Sequence, residues 1–203
     1  MNKLYIDGEN FLFKVAEILK KYDLIKDKSE ITKVKISHLV SIIENLYKVD
    51  KVVFYTARLH KYTESKSLAK KSEQLIETRR RLKRYLTNDG VEFITSGNVR
   101  LQEYIPAKTG RRERALFKEK GVDVQLAIDI ITDVCDRSVK TVLLGSSDSD
   151  MVPVVRKAQE RGAKVVYVGF EYQPNRGLVA TCDRPIMLRD NEIIEAYKQA
   201  NEQ

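Results

Sequence analysis

The sequence is poor in the residues that bind soft metal ions or form disulfides. Its 203 residues include two cysteines, Cys135 and Cys182, and two histidines, His38 and His60. No pair of them has the close spacing of a zinc site such as CxxC, so the cysteines are expected to be idle or core thiols. A chain of this length buries enough apolar surface to fold as one domain without cross-links.

Long apolar runs are also missing. No stretch approaches the length that crosses a membrane, and the N-terminal sequence MNKLYIDGEN lacks the apolar core of a secretion signal. We therefore expect a cytoplasmic protein with no membrane partner.

Basic residues are in excess, with a net charge of +8. Residues 61–86 contain nine Lys or Arg against three Glu, and residues 100–120 contain seven against three. A solvated helix and a mobile loop would explain either segment alone. Two such segments beside a separate acidic cluster favour a nucleic-acid partner. The candidate phosphate contacts are Arg79, Arg80, Arg81, Lys83, Arg84, Lys108, Arg111, Arg112, Arg114 and Lys118.

Short β-rich runs alternate with helical patterns along the chain, which predicts an α/β fold of three layers, α/β/α, with a mainly parallel central sheet. The predicted strands are 3–6, 51–55, 91–95, 141–144 and 164–168, and the predicted helices include 10–22, 36–47 and 64–86. We expect a single domain over 1–203, with a basic insertion at about 96–120 and a C-terminal helix at about 191–203.

Acidic residues follow two of the predicted strands. Asp7 directly follows the first strand, and Asp148 and Asp150 follow the strand 141–144. In an open parallel sheet the ligand site lies at the carboxyl ends of the strands, so these aspartates are site candidates. Capping of the next helix would explain Asn10 and one of Asp148 and Asp150, but a cap needs only one side chain.

Asp123 is a further candidate because of its helical phase. At 100° per residue it falls inside the apolar arc that begins at Val122 and Leu126, whereas Asp129 and Asp136 fall on the polar face. A carboxylate pointing at the sheet costs several kcal/mol unless a cation compensates it. Asp129 is a candidate for a supporting role.

Carboxylates that converge repel one another, and a hard divalent cation holds them ionised together. Mg²⁺ or Mn²⁺ suits oxygen ligands without nearby His or Cys. Such a cation activates water and neutralises a scissile phosphate, so the expected reaction is phosphodiester hydrolysis.

Three motifs in order, YIDGEN at 5–10, KGVDV at 120–124 and SSDSD at 146–150, resemble the NYN domain of the LabA-like group. The resemblance covers most of 1–170 and implies a PIN-like Rossmann-type fold and a metal-dependent endoribonuclease. It would give metal-binding and catalytic roles to Asp7, Asp123, Asp148 and Asp150, with Asn10 orienting the first turn or a water. The chain departs from the family's SGDSDF-like motif at Ser147 and Met151.

Several alternatives stay open. A displaced ligand would leave a non-catalytic RNA-binding module. A phosphatase of the haloacid dehalogenase kind expects an aspartate where Glu9 stands, and a Toprim-type reading would pair Glu9 with Asp148 and Asp150 to act on DNA. A cleft at the sheet edge favours single-stranded RNA, with Tyr85 and Tyr104 available to stack bases unless they pack on the core. The sequence leaves open whether the protein forms a homodimer.

Overall fold

A computed structural model describes residues 1–63, 65–105 and 114–202 of the chain; for 101–105 and 114–119 the strand assignment alone is described. In this part of the chain no helix is long and apolar enough to cross a membrane. Both cysteines are free thiols, and burial raises the pKa of the Cys182 thiol to about 12.

The described residues form seven strands and seven α-helices that largely alternate. The strands are β1 Asn2–Asp7, β2 Lys51–Arg58, β3 Glu92–Ile105, β4 Arg114–Lys120, β5 Thr141–Gly145, β6 Lys164–Phe170 and β7 Arg184–Leu188. The helices are α1 Gly8–Lys21, α2 Ile36–Glu44, α3 Lys66–Asn88, α4 Val122–Cys135, α5 Val152–Glu160, α6 Arg176–Thr181 and α7 Asp190–Asn201. Two 3₁₀ turns occupy Lys28–Glu30 and Ser149–Met151.

The strands form one sheet in the order β4-β3-β2-β1-β5-β6-β7, in which β4 is antiparallel to β3 and the other pairs are parallel. From β1 the chain builds outward through β2 and β3, and then returns to add β5 on the other side of β1. The order of the strands therefore reverses between β1 and β5, the position where open α/β sheets bind their ligands.

Each face of the sheet is covered by helices. In β1, Leu4 and Ile6 enter the core shared with α1, α2, α3 and α7, whereas Tyr5 enters the core shared with α4, α5 and α6. This alternation follows from the two-residue period of a strand. The predicted three-layer α/β/α fold with a mainly parallel sheet is thus confirmed.

Where the sequence predicted a basic insertion at 96–120, the described part is a pair of antiparallel strands. β3 continues to Ile105 and pairs with β4, after an irregularity in its pairing with β2. Gly97, with φ +62°, allows the close approach of the Lys120 carbonyl, which a Cβ at this position would meet. Glycine here serves a close backbone contact between two strands. Lys108, Arg111 and Arg112 lie outside the described residues.

Two elements were not predicted at all. The strand β7 and the short helix α6 lie in the last fifth of the fold, and the C-terminal helix predicted at about 191–203 is observed as α7, Asp190–Asn201. β7 extends the parallel sheet beyond β6 and keeps its pairing register from Val166 to Phe170.

Candidate active site

Asp7 ends β1 and caps α1. Its carboxylate accepts a hydrogen bond from the Asn10 backbone N–H at 3.2 Å and another from Asn10 Nδ2 at 2.6 Å. The residue is 5% exposed. A side chain on Gly8 would collide with the Phe54 ring and the Tyr55 carbonyl, so only glycine lets the turn from β1 into α1 lie this close to β2. Asp7 is thereby fixed at the sheet edge.

Ser146 joins Asp7 to the loop after β5. Its hydroxyl donates to Asp7 Oδ2 at 3.4 Å and accepts from the Asp148 N–H at 3.2 Å. Ser146 is 3% exposed, so this bridge is inside the protein. The carboxyl ends of β1 and β5 are therefore connected by side chains at the point where the strand order reverses.

Burial is the main influence on Asp7. Removal from water raises the pKa of its carboxyl, and the nearby negative charge of Asp148 raises that pKa further. The hydrogen bonds from Asn10 and Ser146 oppose this rise without cancelling it. A cation at this position would favour the ionised form of Asp7.

The sequence left open which of Asp148 and Asp150 caps the following helical turn, and in the structure it is Asp148. Asp148 is half-buried and caps the 3₁₀ turn by accepting from the Asp150 N–H at 2.9 Å. Asp150 is exposed in the first turn that follows. Capping therefore accounts for one contact of Asp148 and leaves the side chain of Asp150 at the surface.

The expectation that Asp123 points into the sheet-facing side of its helix is wrong. Val122 and Leu126 are buried as the apolar arc predicts, but Asp123 is exposed. Asp123 lies in the first turn of α4. Its angle around the helix matches that of the buried residues, but a side chain at a helix end can be exposed at this angle. Among the described residues, no three Asp, Glu, His or Cys side chains form a group that could hold one metal ion. The structure brings together Asp7, Asn10, Ser146 and Asp148, and it leaves Asp123 and Asp150 outside that group.

Two other aspartates, Asp129 and Asp133, anchor α4 to the sheet. Asp129 accepts from the Tyr55 hydroxyl at 2.9 Å and from Gln125 at 2.7 Å, so it is engaged on the sheet side rather than solvated on a polar face. Burial, followed by the hydrogen bond to Asp129, raises the pKa of Tyr55. Asp136 is exposed, as predicted.

Asp133, which the sequence did not single out, accepts from Lys3 Nζ at 2.7 Å and from the Tyr5 hydroxyl at 2.5 Å. Burial alone would raise the pKa of Asp133, but the hydrogen bonds from Lys3 and Tyr5 outweigh it and lower that pKa.

Asn175, the N-cap of α6, is a further residue that sequence reasoning missed. Its Nδ2 donates to the Ser147 carbonyl at 2.9 Å, and its Oδ1 accepts from the Leu178 N–H at 3.0 Å. It therefore supports the loop that carries Asp148. The signal in the sequence was an asparagine before a short apolar run, which marks a helix start but not a contact with another loop.

The basic residues of α3 face two directions: three arginines line a surface groove, and Arg79 faces α1. Arg80, Arg81 and Arg84 line a surface groove of about 700 Å³ that also includes Lys33 and Tyr85. Tyr85 is half-buried and packs against the core, whereas the stacking of a base on its ring stays a prediction.

The other basic candidates are placed less uniformly. Arg79 lies on the α1 side of α3, with its guanidinium 3.9 Å from the Glu9 carboxylate. Lys83 lies over the Phe93 ring at 5.7 Å. Arg114 and Lys118 lie on β4, and Tyr104 lies on β3, where side chains are not described.

Comparison with known proteins gives three findings. The family model described as the NYN domain matches residues 3–189. An uncharacterized protein of Methanocaldococcus jannaschii is 40% identical over 83 residues, which are 38% of this chain and 35% of that protein. The chain thus spans about a third of the length of this curated relative. A crystal structure of a protein of unknown function from Vibrio parahaemolyticus aligns with a TM-score of 0.56 at 17% identity, covering 92% of this chain and 91% of that one, and it supports the fold alone.

Proposed function

We propose that this chain, which belongs to the NYN domain family, is a metal-dependent endoribonuclease that cleaves single-stranded RNA. Members of this family share a PIN-like nuclease fold and are usually ribonucleases. The observation that carries the proposal is the buried connection from Asp148 through Ser146 to Asp7 at the strand-order reversal. It supports the proposal because it links the Asp7 carboxylate to the backbone of Asp148 at the strand-order reversal, where this fold class binds ligands.

The residues of this edge fit a hard divalent cation, Mg²⁺ or Mn²⁺. Asp7, Asp148, Ser146 and Asn10 offer oxygen ligands, and burial raises the pKa of Asp7, an effect that a bound cation would oppose. Asp7 and Asp148 would hold the ion, and the roles of Asp123 and Asp150, which lie outside this group, rest on the family resemblance alone. When bound, such an ion activates water and neutralises charge on the phosphate.

Each residue of the edge has a definite task in this proposal. Asn10 holds the Asp7 carboxylate in one orientation through two hydrogen bonds. Ser146 keeps the loop of Asp148 at a fixed distance from Asp7. Asp123 and Asp150 are exposed, so they are accessible to a phosphate or to water that approaches from solvent.

The contacts of Glu9 argue against the two alternative functions in which it would take part in a phosphatase or Toprim-type site. Its carboxylate contacts Lys28 and lies 3.9 Å from Arg79, on the side of α1 that faces α3. A carboxylate engaged with two cations is poorly placed to share a metal ion with Asp148 and Asp150.

A non-catalytic RNA-binding module is the second candidate. The observation in its favour is that, within the described part of the chain, no three potential ligands form a metal-binding group. Under this candidate the acidic edge binds little metal, and the basic surfaces bind RNA without cleaving it.

Cleavage assays separate the candidates. Purified protein is incubated with single-stranded RNA, a labelled hairpin and DNA, each with Mn²⁺, with Mg²⁺ and with chelator. We expect cuts in unpaired RNA that require the metal ion and that disappear in Asp7→Asn. Asp136→Asn, an exposed position on α4, is the matched control and should cleave normally. Binding of RNA without cuts under any metal condition would favour the binding module, and cuts confined to DNA or to the hairpin stem would contradict the proposed substrate.

A further inference from the structure

A groove of about 590 Å³ lies beside the candidate active site, between α1, α3 and the ends of β2 and β3. Its apolar lining comes from Leu12, Leu59, Leu75, Leu82 and Val99. The volume falls within the usual range of ligand sites, about 300 to 1,000 Å³. The groove therefore has the size and the apolar character that a flat ring requires.

Charged side chains form the rim of this groove. Lys28, Lys71 and Arg79 supply positive charge, and the carboxylates of Glu9, which contacts Lys28, and Asp27 leave the rim with a small positive excess. Arg79 and Lys71 are separated by eight positions on α3, so they lie along one face of the helix. Cations around an apolar floor suit a ligand that has a flat base and flanking phosphates.

The groove opens on the same sheet edge as the acidic residues. Glu9 is two residues after Asp7, so their Cα atoms are at most about 7 Å apart. Leu59 directly follows the last residue of β2, and Val99 lies in β3 beyond its pairing irregularity with β2. A nucleotide in the groove would therefore neighbour a phosphate held at Asp7.

We propose that this groove binds the base of one unpaired nucleotide adjacent to the scissile phosphate. The base would pack on the leucine side chains, and the flanking phosphates would lie near Lys28, Lys71 and Arg79. The inference rests on the proposed function and names a subsite for it. A base inside a duplex is stacked and paired, so the subsite also gives a physical reason for selecting single strands.

Leu75 offers the sharpest test, because it is half-buried, lines the groove and is not one of the buried core residues. The probe is a labelled RNA pentamer, intact or with one base removed at each position in turn, measured in chelator so that no cleavage occurs. Leu75→Glu blocks the groove. Leu75→Gln adds no charge and separates loss of apolar contact from repulsion of RNA. Leu46→Glu, at a leucine that is 50% exposed and follows α2, is the control.

For the wild type, we expect removal of the base at one position to weaken binding about tenfold, the usual effect of losing one stacked base. Leu75→Glu and Leu75→Gln should bind the intact RNA more weakly and show no further loss for that abasic position, whereas Leu46→Glu should match the wild type. The same abasic loss in both Leu75 variants would overturn the proposal. So would absence of RNA binding by the wild type, which would leave the groove to another occupant such as a protein segment.

The result is independent of catalysis. Groove-dependent binding without cleavage in Mn²⁺ would remove the nuclease proposal and keep the subsite. Normal cleavage together with unchanged binding in the Leu75 variants would remove the subsite and keep the nuclease. Thermal melting of both variants checks that they are folded at the assay temperature.

Discussion

Asp7 and Asp133 are both packed against the sheet, but their surroundings differ. Asp133 accepts from the cation Lys3 and from Tyr5, and these bonds lower the pKa of its carboxyl. Asp7 accepts from the neutral groups of Asn10 and Ser146, and burial raises the pKa of its carboxyl. The protein thus supplies a positive partner to the Asp133 carboxylate, while the contacts described for the Asp7 carboxylate are neutral.

Under the proposed function, this difference separates a structural carboxylate, Asp133, from a functional one, Asp7. A carboxylate paired inside the fold stabilises the folded state, whereas one that is buried among neutral donors costs stability until a ligand supplies the missing charge. Asp133 pairs with Lys3 near the amino end of β1, and Asp7 lies at the carboxyl end of the same strand.

The largest effect should come from removing the functional carboxylate. Asp7→Asn should lower the rate of RNA cleavage by about 10² to 10³-fold, comparable to the loss of one group that stabilises charge in a transition state. Single-turnover rates at saturating Mn²⁺ give the measurement. Asp133→Asn, assayed well below its melting temperature, should keep the wild-type rate. Equal losses in both variants would mean that the two carboxylates do not differ in function.

The next effect concerns RNA binding by α3. Reversal of charge at Arg80 and Arg84 should weaken RNA binding about tenfold at low salt. The slope of log affinity against log salt concentration should also become less steep, by about one unit for each lost phosphate contact. Affinities for several RNA sequences, measured over a range of salt, give both quantities. The loss should be similar for all of these sequences.

A matched pair of exposed lysines outside α3 controls for net charge. Lys140 precedes β5 and Lys164 begins β6, and both are exposed. Reversal at these two positions changes the total charge by the same amount and should leave the affinity nearly unchanged. If both pairs of reversals weaken binding equally, the attraction comes from the overall charge and not from α3.

A stability effect should accompany loss of the structural carboxylate. Asp133→Asn should lower the free energy of unfolding by about 1 to 3 kcal/mol at neutral pH, because Lys3 would lose its charged partner in a half-buried place. The pKa of Asp133 is lowered by folding, so this contribution is present at neutral pH and is lost as the pH falls through the folded pKa. Denaturant unfolding of both proteins at several pH values measures it. A destabilisation that is the same at acidic and neutral pH would contradict the pairing.

The smallest effect has the opposite sign. Without metal, Asp7→Asn should be as stable as the wild type or more stable by up to about 1 kcal/mol, because the buried negative charge is removed. Folding raises the pKa of Asp7, so its ionised form opposes folding above that pKa, and the cost is relieved as the pH falls through it. The difference between variant and wild type should therefore shrink toward acidic pH. A sharp drop in metal-free melting temperature in Asp7→Asn would instead assign the carboxylate to structural hydrogen bonding.

Much of the fold and part of the site could be predicted from local patterns. Asp7 was identifiable because a β-rich run stops directly before it and a helical period begins directly after it. For Asp123, residue spacing gave the correct angle on the helix but not the height of its first turn relative to the sheet. Periodicity measures rotation, and burial at a helix end also depends on where the neighbouring strands stop.

The rest depends on contacts between distant parts of the chain. Ser146 and Asp7 are 139 positions apart, and Tyr5 and Asp133 are 128 apart, so no local pattern could pair them. Gly97 allows the close approach of the Lys120 carbonyl within a strand pair. That role appears only when β3 and β4 lie side by side.

Direct titration of Mn²⁺ into metal-free protein tests the central claim, that the buried carboxylate at the end of β1 holds a divalent cation. Calorimetry is run on the wild type, on Asp7→Asn and on Asp133→Asn under identical conditions. We predict binding in the wild type and in Asp133→Asn, and loss of that binding in Asp7→Asn. Equal Mn²⁺ binding by Asp7→Asn and the wild type, or absence of binding by the wild type, would contradict the account.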